Sequence, residues 1–494
     1  MNWLDGAIGW FAPGTAVRRV AARRALEIHG RAYEAAKRDH RTAGWTAGGG
    51  SANAEIATSE DVVRNRSRDL VRNNGYALQI VETIADHVVG TGIVSAPIGR
   101  ARRAQTAYAD WQGECDFDGD QDLNGLLWLA EKGKNESGAA LIRFRREAFD
   151  AGTTVAPLKL QLLEPDFIDP VKQGTTAGGG WIERGIEYDA QGRRVAFWLL
   201  PAHPGDVASW RSLRMASERV PAEEVVYLYD KLRPGQDRGM PVLAPAIMTL
   251  QNLRGYFEAE LVRKRVAACM VGFLQTQDEN IKIGTGEVPT YGTQKGQKFE
   301  PGMIFRGLPG ESMTFNSPPA DPGVDAMATQ YLREASAACG VMFEQATGDF
   351  SRVNYSSFRA GGHGFRRRTE RRQWSFVHTV SRRVTARFTE AALAARLIAT
   401  VPRWRHTPPG FISIDPDKDA KADLANLRMG KTSLSELVEE RGYDYLEHLE
   451  RVAADLAAAE KALGAGVMFD GDPRKLLNQA APDKAKADPE ADAA

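Results

Sequence analysis

Cysteine is scarce: Cys115, Cys269 and Cys339 are the whole complement of 494 residues. Odd in number and far apart, they argue against a disulfide framework and a cysteine-based zinc site, and they suit a reducing compartment. No run of about 18 apolar residues occurs, so the sequence offers no bilayer-spanning helix. Nor is a secretory leader expected. The N-terminus is apolar first, carries Asp5, and turns arginine-rich only afterwards, the reverse of a signal peptide. An excess of one charge is missing too, because Lys+Arg and Asp+Glu both number 64. Total charge therefore says nothing about a polyanionic partner; only its distribution can.

Catalytic signatures are also lacking. There is no HExxH, CxxC, GxSxG or complete GxGxxG, and the eight histidines are scattered without metal-ligand spacing. The stretch ending Gly430-Lys431-Thr432 resembles a P-loop but lacks its first glycine and follows a helical pattern. It reads as a turn with Thr432 or Ser433 capping the next helix. The pattern Asp120, Asp122, Asn124, Glu131 satisfies a calcium-loop spacing. It is single where such loops pair, and its residues suit the start of a helix near Leu126, so no metal is expected there.

What is present is a folded chain of several domains, 43% apolar and 26% charged. A basic helix is expected over 14–43 and a flexible glycine-rich connection over 44–57. Helical spacing follows to about residue 88. Residues 100–240 read as α+β with a largely antiparallel sheet: helices near 101–114 and 123–133, then strands at 139–144, 158–163, 185–188, 195–200 and 225–229. Asp189–Gly192 forms a hairpin turn between two of these strands.

From Pro241 the stripe Leu243, Ile247, Leu250, Leu253, Phe257, Leu261 predicts a helix of about 25 residues. A β-type excursion fills 270–318, a second helix 324–340, a loop 341–362, and a long helix runs to about 400. Residues 415–463 form a small helical unit, and the polar tail reads as disordered. Residues 352–405 carry thirteen arginines against Glu370 and Glu390, a balance of +11, whereas 415–460 balance to −6. Part of the basic face is a candidate for phosphate or for an acidic neighbouring surface.

Several segments then fall in a telling order. They are Arg72-Asn73-Asn74, Val88–Gly92, Leu163-Glu164-Pro165-Asp166, and Tyr229–Pro241 with Arg233, Pro234, Gly235, Gln236, Arg238 and Gly239. Gly348–Ala360, with Asp349 and Tyr355, and Gly430–Asp444 complete the series. Together, over residues 60–460, they resemble the lambda-type family of tailed-bacteriophage portal proteins.

The resemblance implies an α+β, multidomain ring subunit, commonly one of twelve. Its parts would be an N-terminal segment (1–57), wing (58–240), stem helix (241–269), clip (270–321), stem helix (322–341), tunnel loop (342–362), long wing helix (363–410), crown (411–468) and tail (469–494). It further implies a channel at one capsid vertex for packaging and ejecting double-stranded DNA. Contacts with DNA would be sequence-neutral, from Arg352, Asn354, Tyr355, Ser356 and Arg359. The implied protein partners are terminase, the major capsid protein and a head–tail adaptor. The same resemblance implies a site in the virion after assembly in the host cytoplasm, with no cofactor, membrane or catalysis. A head–tail adaptor, or a packaging ATPase or nuclease, is the alternative reading.

Overall fold

The computed structural model describes residues 48–99, 101–150, 152–206, 216–268, 272–275, 290–291, 294–295, 312–315, 323–351, 353–411 and 416–463, with 10, 40 and 44. The basic helix expected over 14–43 and the tail beyond 463 lie outside the described residues. Two units are resolved, 1–55 and 56–494. In the stretch expected to be a flexible connection, residues Ala52–Ala57 are helical (α1). Ser51 starts that helix, its Oγ accepting from Ala54 N at 3.2 Å.

The helical stretch to residue 88 is two helices, α2 (Glu60–Asn73) and α3 (Gly75–Val88). Asn74 separates them because its side-chain oxygen accepts from Tyr76 N at 3.0 Å and Ala77 N at 3.1 Å, an N-cap that resets the chain direction. Strand β1 (Val94–Pro97), α4 (Arg102–Gln112) and α5 (Leu123–Ser137) follow. Strands β2 (Ala139–Arg146), β3 (Leu158–Leu163) and β9 (Val225–Tyr229) make an antiparallel sheet of order β3-β2-β9. Between β3 and β9 the chain builds a second antiparallel sheet. Its strands are β4 (Gly174–Thr175), β5 (Trp181–Glu183), β6 (Ile186–Tyr188), β7 (Arg194–Leu199) and β8 (Glu218–Pro221). The β6–β7 turn is the Asp189–Gly192 hairpin, where Gly192 takes φ +78° and Asp189 Oδ1 accepts from Gln191 N and Arg193 N.

Period-two alternation in β2 explains how these layers stack. Ala140, Ile142 and Phe144 face the helical core, which also takes Leu158, Leu160, Val226 and Leu228. Ala139 and Leu141 face the other way, onto Ile186, Phe197, Leu199 and Val220 of the five-stranded sheet. The helical core draws on α3, α5 and three later helices, α6 (Ile247–Ala268), α7 (Val324–Cys339) and α9 (Tyr355–Phe376).

Helix α6 begins six residues after Pro241; residues 242–246 form tight turns in which Ala244 N and Ala246 N donate to the carbonyls of Pro241 and Leu243. Its apolar stripe splits. Leu243, Ile247, Leu250 and Leu253 are buried, whereas Phe257 and Leu261 are 39% and 49% exposed. Beyond α6, β10 (Gly272–Gln275) pairs with β13 (Ser312–Phe315) and β11 (Thr290–Tyr291) with β12 (Gln294–Lys295), both antiparallel; the rest of the excursion lies outside the described residues.

The expected loop to residue 362 is shorter than the spacing predicted. It contains α8 (Phe343–Thr347), and α9 starts at Tyr355. Gly361, Gly362 and Gly364 are helical interior, where a glycine costs about 1 kcal/mol each. Burial of Phe365, Thr369, Gln373 and Phe376 on one face outweighs that cost. The long helix also differs: it passes through a π-helical turn at Val377–Ser381, continues as α10 (Arg382–Ala394) and stops short of 400. Here Thr385 and Thr389 return hydroxyl hydrogen bonds to the carbonyls of Ser381 and Thr385, which loosens the ladder.

Strand β14 (Trp404–Thr407) then pairs with β1, a pairing of distant segments that local periodicity did not announce. Helices α11 (Pro416–Arg428), α12 (Leu434–Glu440) and α13 (Tyr445–Leu463) complete the described chain. No described helix is long and apolar enough to cross a membrane.

Candidate nucleic-acid interface

The segment between α7 and α9 is built from helix ends. At the end of α7 Gly340 takes φ +75°, and Gly340 N and Val341 N both donate to Ser336 O, closing the helix. Met342 opens α8, which Gly348 ends at φ +70°. The exposed turn that follows is held by Asp349, whose Oδ1 accepts from Ser351 N at 3.0 Å and Ser351 Oγ at 2.6 Å. Phe350, 52% exposed, leans on Phe358 with ring centroids 5.8 Å apart.

Of the expected DNA contacts, Asn354 is exposed just before α9, and Tyr355 and Ser356 lie in its first turn. Arg359 is on the same helix, its Nη2 3.4 Å from Asp419 of α11. Arg352 lies outside the described residues.

Farther along α9, the arginines divide by environment. Arg366 pairs with Glu370 at 2.8 Å and reaches Glu440 at 3.8 Å. Arg372 turns inward and donates to Cys339 O at 3.0 Å, a cation on the C-terminal carbonyls of α7. Burial pushes its pKa below the ordinary arginine value, opposed by Asp230 and Glu131. Arg367, Arg368 and Arg371 are exposed and make no ion pair among the described residues.

The motif residues are mostly framework. Gln236 is buried: Oε1 accepts from Leu232 N at 2.8 Å and Arg233 N at 3.1 Å, and Nε2 donates to Arg238 O at 2.7 Å. One side chain thus closes the Lys231–Arg238 loop on itself, leaving Arg233, Pro234 and Gly235 outside. Gly239 crosses Gly138 so closely that a Cβ there would lie 1.9 Å from Gly138 O.

Arg238, buried, donates to Arg184 O and stands 3.6 Å from Glu60, which also receives Arg64 at 2.5 Å and Arg184 at 2.8 Å. Arg64 and Arg68 continue to Asp166, at 3.0 Å and 2.6 Å. Burial opposes the Asp166 carboxylate, yet Arg68 and Arg64 hold its pKa below the ordinary carboxylate value. Segments as far apart in sequence as Glu60 and Arg238 are locked together in this network.

The calcium-loop residues do not converge. Asp122 is the N-cap of α5, accepting from Gly125 N at 2.8 Å. Asn124 packs over Gly92, and Asp120 is exposed at the turn. Glu131 is fully buried two turns on, 2.8 Å from Lys134, which also reaches Asp230 at 3.2 Å. Burial raises the Glu131 pKa, against the pull of Lys134. The P-loop-like stretch is likewise helix punctuation. Gly430, at φ +65°, ends α11, and Ser433 caps α12 in a reciprocal capping box with Glu436.

A family model for phage portal proteins of the lambda family matches residues 38–373, more than half of the chain. The chain belongs to the lambda family of phage portal proteins. It is similar to the "Probable portal protein" of Halomonas phage phiHAP-1, 22% identical over 86% of each chain. The portal protein of Escherichia phage N15 is 23% identical over 86% of this chain and 91% of its own. Among solved structures, the neck of an empty gene transfer agent particle matches at 15% identity and TM-score 0.47, covering 75% of this chain and 92% of that one.

The Arg-Pro-Gly-Gln-x-Arg-Gly segment of this portal chain is thus a structural clasp. Sequence reasoning missed the Glu60–Arg64–Asp166–Arg238 network: the i, i+4 pair Glu60/Arg64 is one of several charges on a polar helix, and nothing in the local pattern marks it as buried.

Proposed function

We propose that copies of this chain close into a ring of about twelve at one capsid vertex, and that its channel passes double-stranded DNA during packaging and ejection. The observation that carries the reading is the divided stripe of α6. Its first half is buried in its own protomer, and its second half leaves Phe257 and Leu261 uncovered beside a cleft of about 360 Å³ lined by Asn73, Asn74, Tyr76 and Arg254. A neighbouring copy in a cyclic arrangement is the natural cover for such a face.

In this reading residues 58–240 form the wing, α6 and α7 the stem, 270–321 the clip, and α11 to α13 the crown. The turn 348–354 with the start of α9 is the channel segment, narrower than 342–362. Arg352 and Arg359 make salt-screened contacts with phosphates. The pairing of Arg359 with Asp419 is an exposed one, which a phosphate can replace at little cost. The ring needs no catalysis of its own: a separate terminase docks on the clip and supplies the energy, and the capsid protein and a head–tail adaptor hold the ring in the virion.

The test begins with light scattering and negative-stain images of purified protein. Rings with a central hole support the reading; a monodisperse monomer across several salt concentrations refutes it. Particles assembled with Arg352→Ala/Arg359→Ala chains should keep their rings and protect less DNA from nuclease. Full-length protected genomes would remove the channel segment from DNA contact.

A further inference from the structure

One face of this chain is uncovered in the protomer, a second is only half-buried, and the two complement each other. The first is on the long helix. His363, Arg367, Arg371, Trp374, His378 and Arg382 recur every three to four residues, and all are exposed. Trp374 is 67% exposed at the centre, one side of its indole stacked flat on His378, with ring planes 8° apart. It sits beside the π-helical turn Val377–Ser381. A largely exposed tryptophan ringed by arginines has the make-up of a protein-binding hot spot. A duplex backbone would use the arginines and leave the indole idle.

The second face is on α13. None of residues 445–462 is buried. Tyr445, Leu449, Val452, Leu456 and Ala459 follow spacings of four, three, four and three, one apolar edge along the helix. At 100° per residue, Asp455 falls on one flank of that edge and Glu460 on the other. Both are exposed, and neither makes an ion pair among the described residues. The acidic unit already meets one side of α9 through Arg359–Asp419 and Arg366–Glu440. The side carrying Arg367, Arg371 and Trp374 remains open.

We infer that the Arg367–Arg371–Trp374 face of one copy docks on the Leu449–Leu456 edge of α13 in the next copy, with Asp455 and Glu460 meeting the arginines. The contact is head-to-tail, joining two different patches, as a closed ring demands. The inference rests on the ring reading above and adds which surfaces make it.

Two charge-reversed chains test it, Arg367→Glu/Arg371→Glu and Asp455→Arg/Glu460→Arg. Each alone should need at least about tenfold more protein than wild type to form rings, as like charges face each other. Mixed one to one, they should assemble at close to the wild-type concentration, because alternating copies place opposite charges at every contact. Circular dichroism of each variant checks that it folds. Rings from either variant alone at wild-type concentration, or no rescue on mixing, overturn the inference and leave the ring reading standing. Unchanged assembly with a lost affinity for duplex DNA would reassign the basic face to nucleic acid. A wild-type chain that stays monomeric would remove both.

Discussion

Replacing Gly239 by alanine tests the claim that the Arg-Pro-Gly-Gln-x-Arg-Gly segment works as a clasp. The added Cβ would stand 1.9 Å from Gly138 O and 2.8 Å from both Gly138 C and the Cβ of Tyr229. No rotamer relieves this, because two of the three clashing atoms are backbone. Gly138 cannot give way easily either: it caps α5 at φ +90°, and its own Cβ position lies 2.9 Å from Gly239 O and Pro241 N. The two strands of chain must separate by more than 1 Å, which pulls on buried Arg238 and on the start of α6. Overpacking of this kind costs about 3 kcal/mol, the upper end of its usual range.

Gly235, four residues earlier, is the internal control. Unlike Gly239 it has a positive φ, +80°, but a Cβ there meets nothing within 4 Å. Its substitution costs only the left-handed backbone strain, about 1 kcal/mol. Melting temperature falls by roughly 2 °C per kcal/mol for a domain of this size. Gly239→Ala should therefore melt about 6 °C below wild type and Gly235→Ala about 2 °C below, by fluorescence-monitored unfolding at one protein concentration. If Gly239→Ala melts no lower than Gly235→Ala, the clasp is not where the stability of this segment resides.

Gln236→Leu keeps the volume but strips the partners from Leu232 N, Arg233 N and Arg238 O; a loss of about 3 kcal/mol is expected, measured as a lowered denaturation midpoint. Calcium titration by calorimetry should give no saturable binding below about 1 mM, because Glu131 is buried against Lys134 and Asp122 is spent on the α5 N-cap. His406, half-buried on β14 and hydrogen-bonded to Ser95 Oγ of β1, has its pKa pushed down to about 4 by desolvation and then by Arg382. Its contribution is complete above the unfolded value of 6.5 and falls away as pH drops toward 4, by at most about 3 kcal/mol. His406→Gln should flatten the melting temperature between pH 6.5 and 4, and an unchanged slope would contradict this.

Helices and strands were legible where one face had one kind of neighbour. The strands Leu158–Leu163 and Val225–Tyr229 stand where alternation placed them, since each face of that sheet meets a separate apolar layer. The reading failed at Gly361, Gly362 and Gly364, where composition argued for a loop. There Phe365 and Phe376, whose burial no local window reveals, carry the helix through. It failed again for β1 and β14, four-residue strands about 300 positions apart, too short to declare a period.

The candidate site was harder to read for a related reason. A charge count marks residues 352–405 as basic, but only the fold separates arginines by role. Arg372 caps α7, Arg366 and Arg359 answer the acidic helices, and Arg367 and Arg371 are left to solvent. Likewise the stripe of α6 predicts that a face is covered without saying by what. Its first half, to Leu253, is answered inside the protomer, and its second half, Phe257 and Leu261, is not. Periodicity reports the sum of all burial a residue meets in its working assembly, and one chain supplies only part of that sum. Under the proposed ring, the residues where pattern and single-chain burial disagree are the candidates for contact with a neighbouring copy.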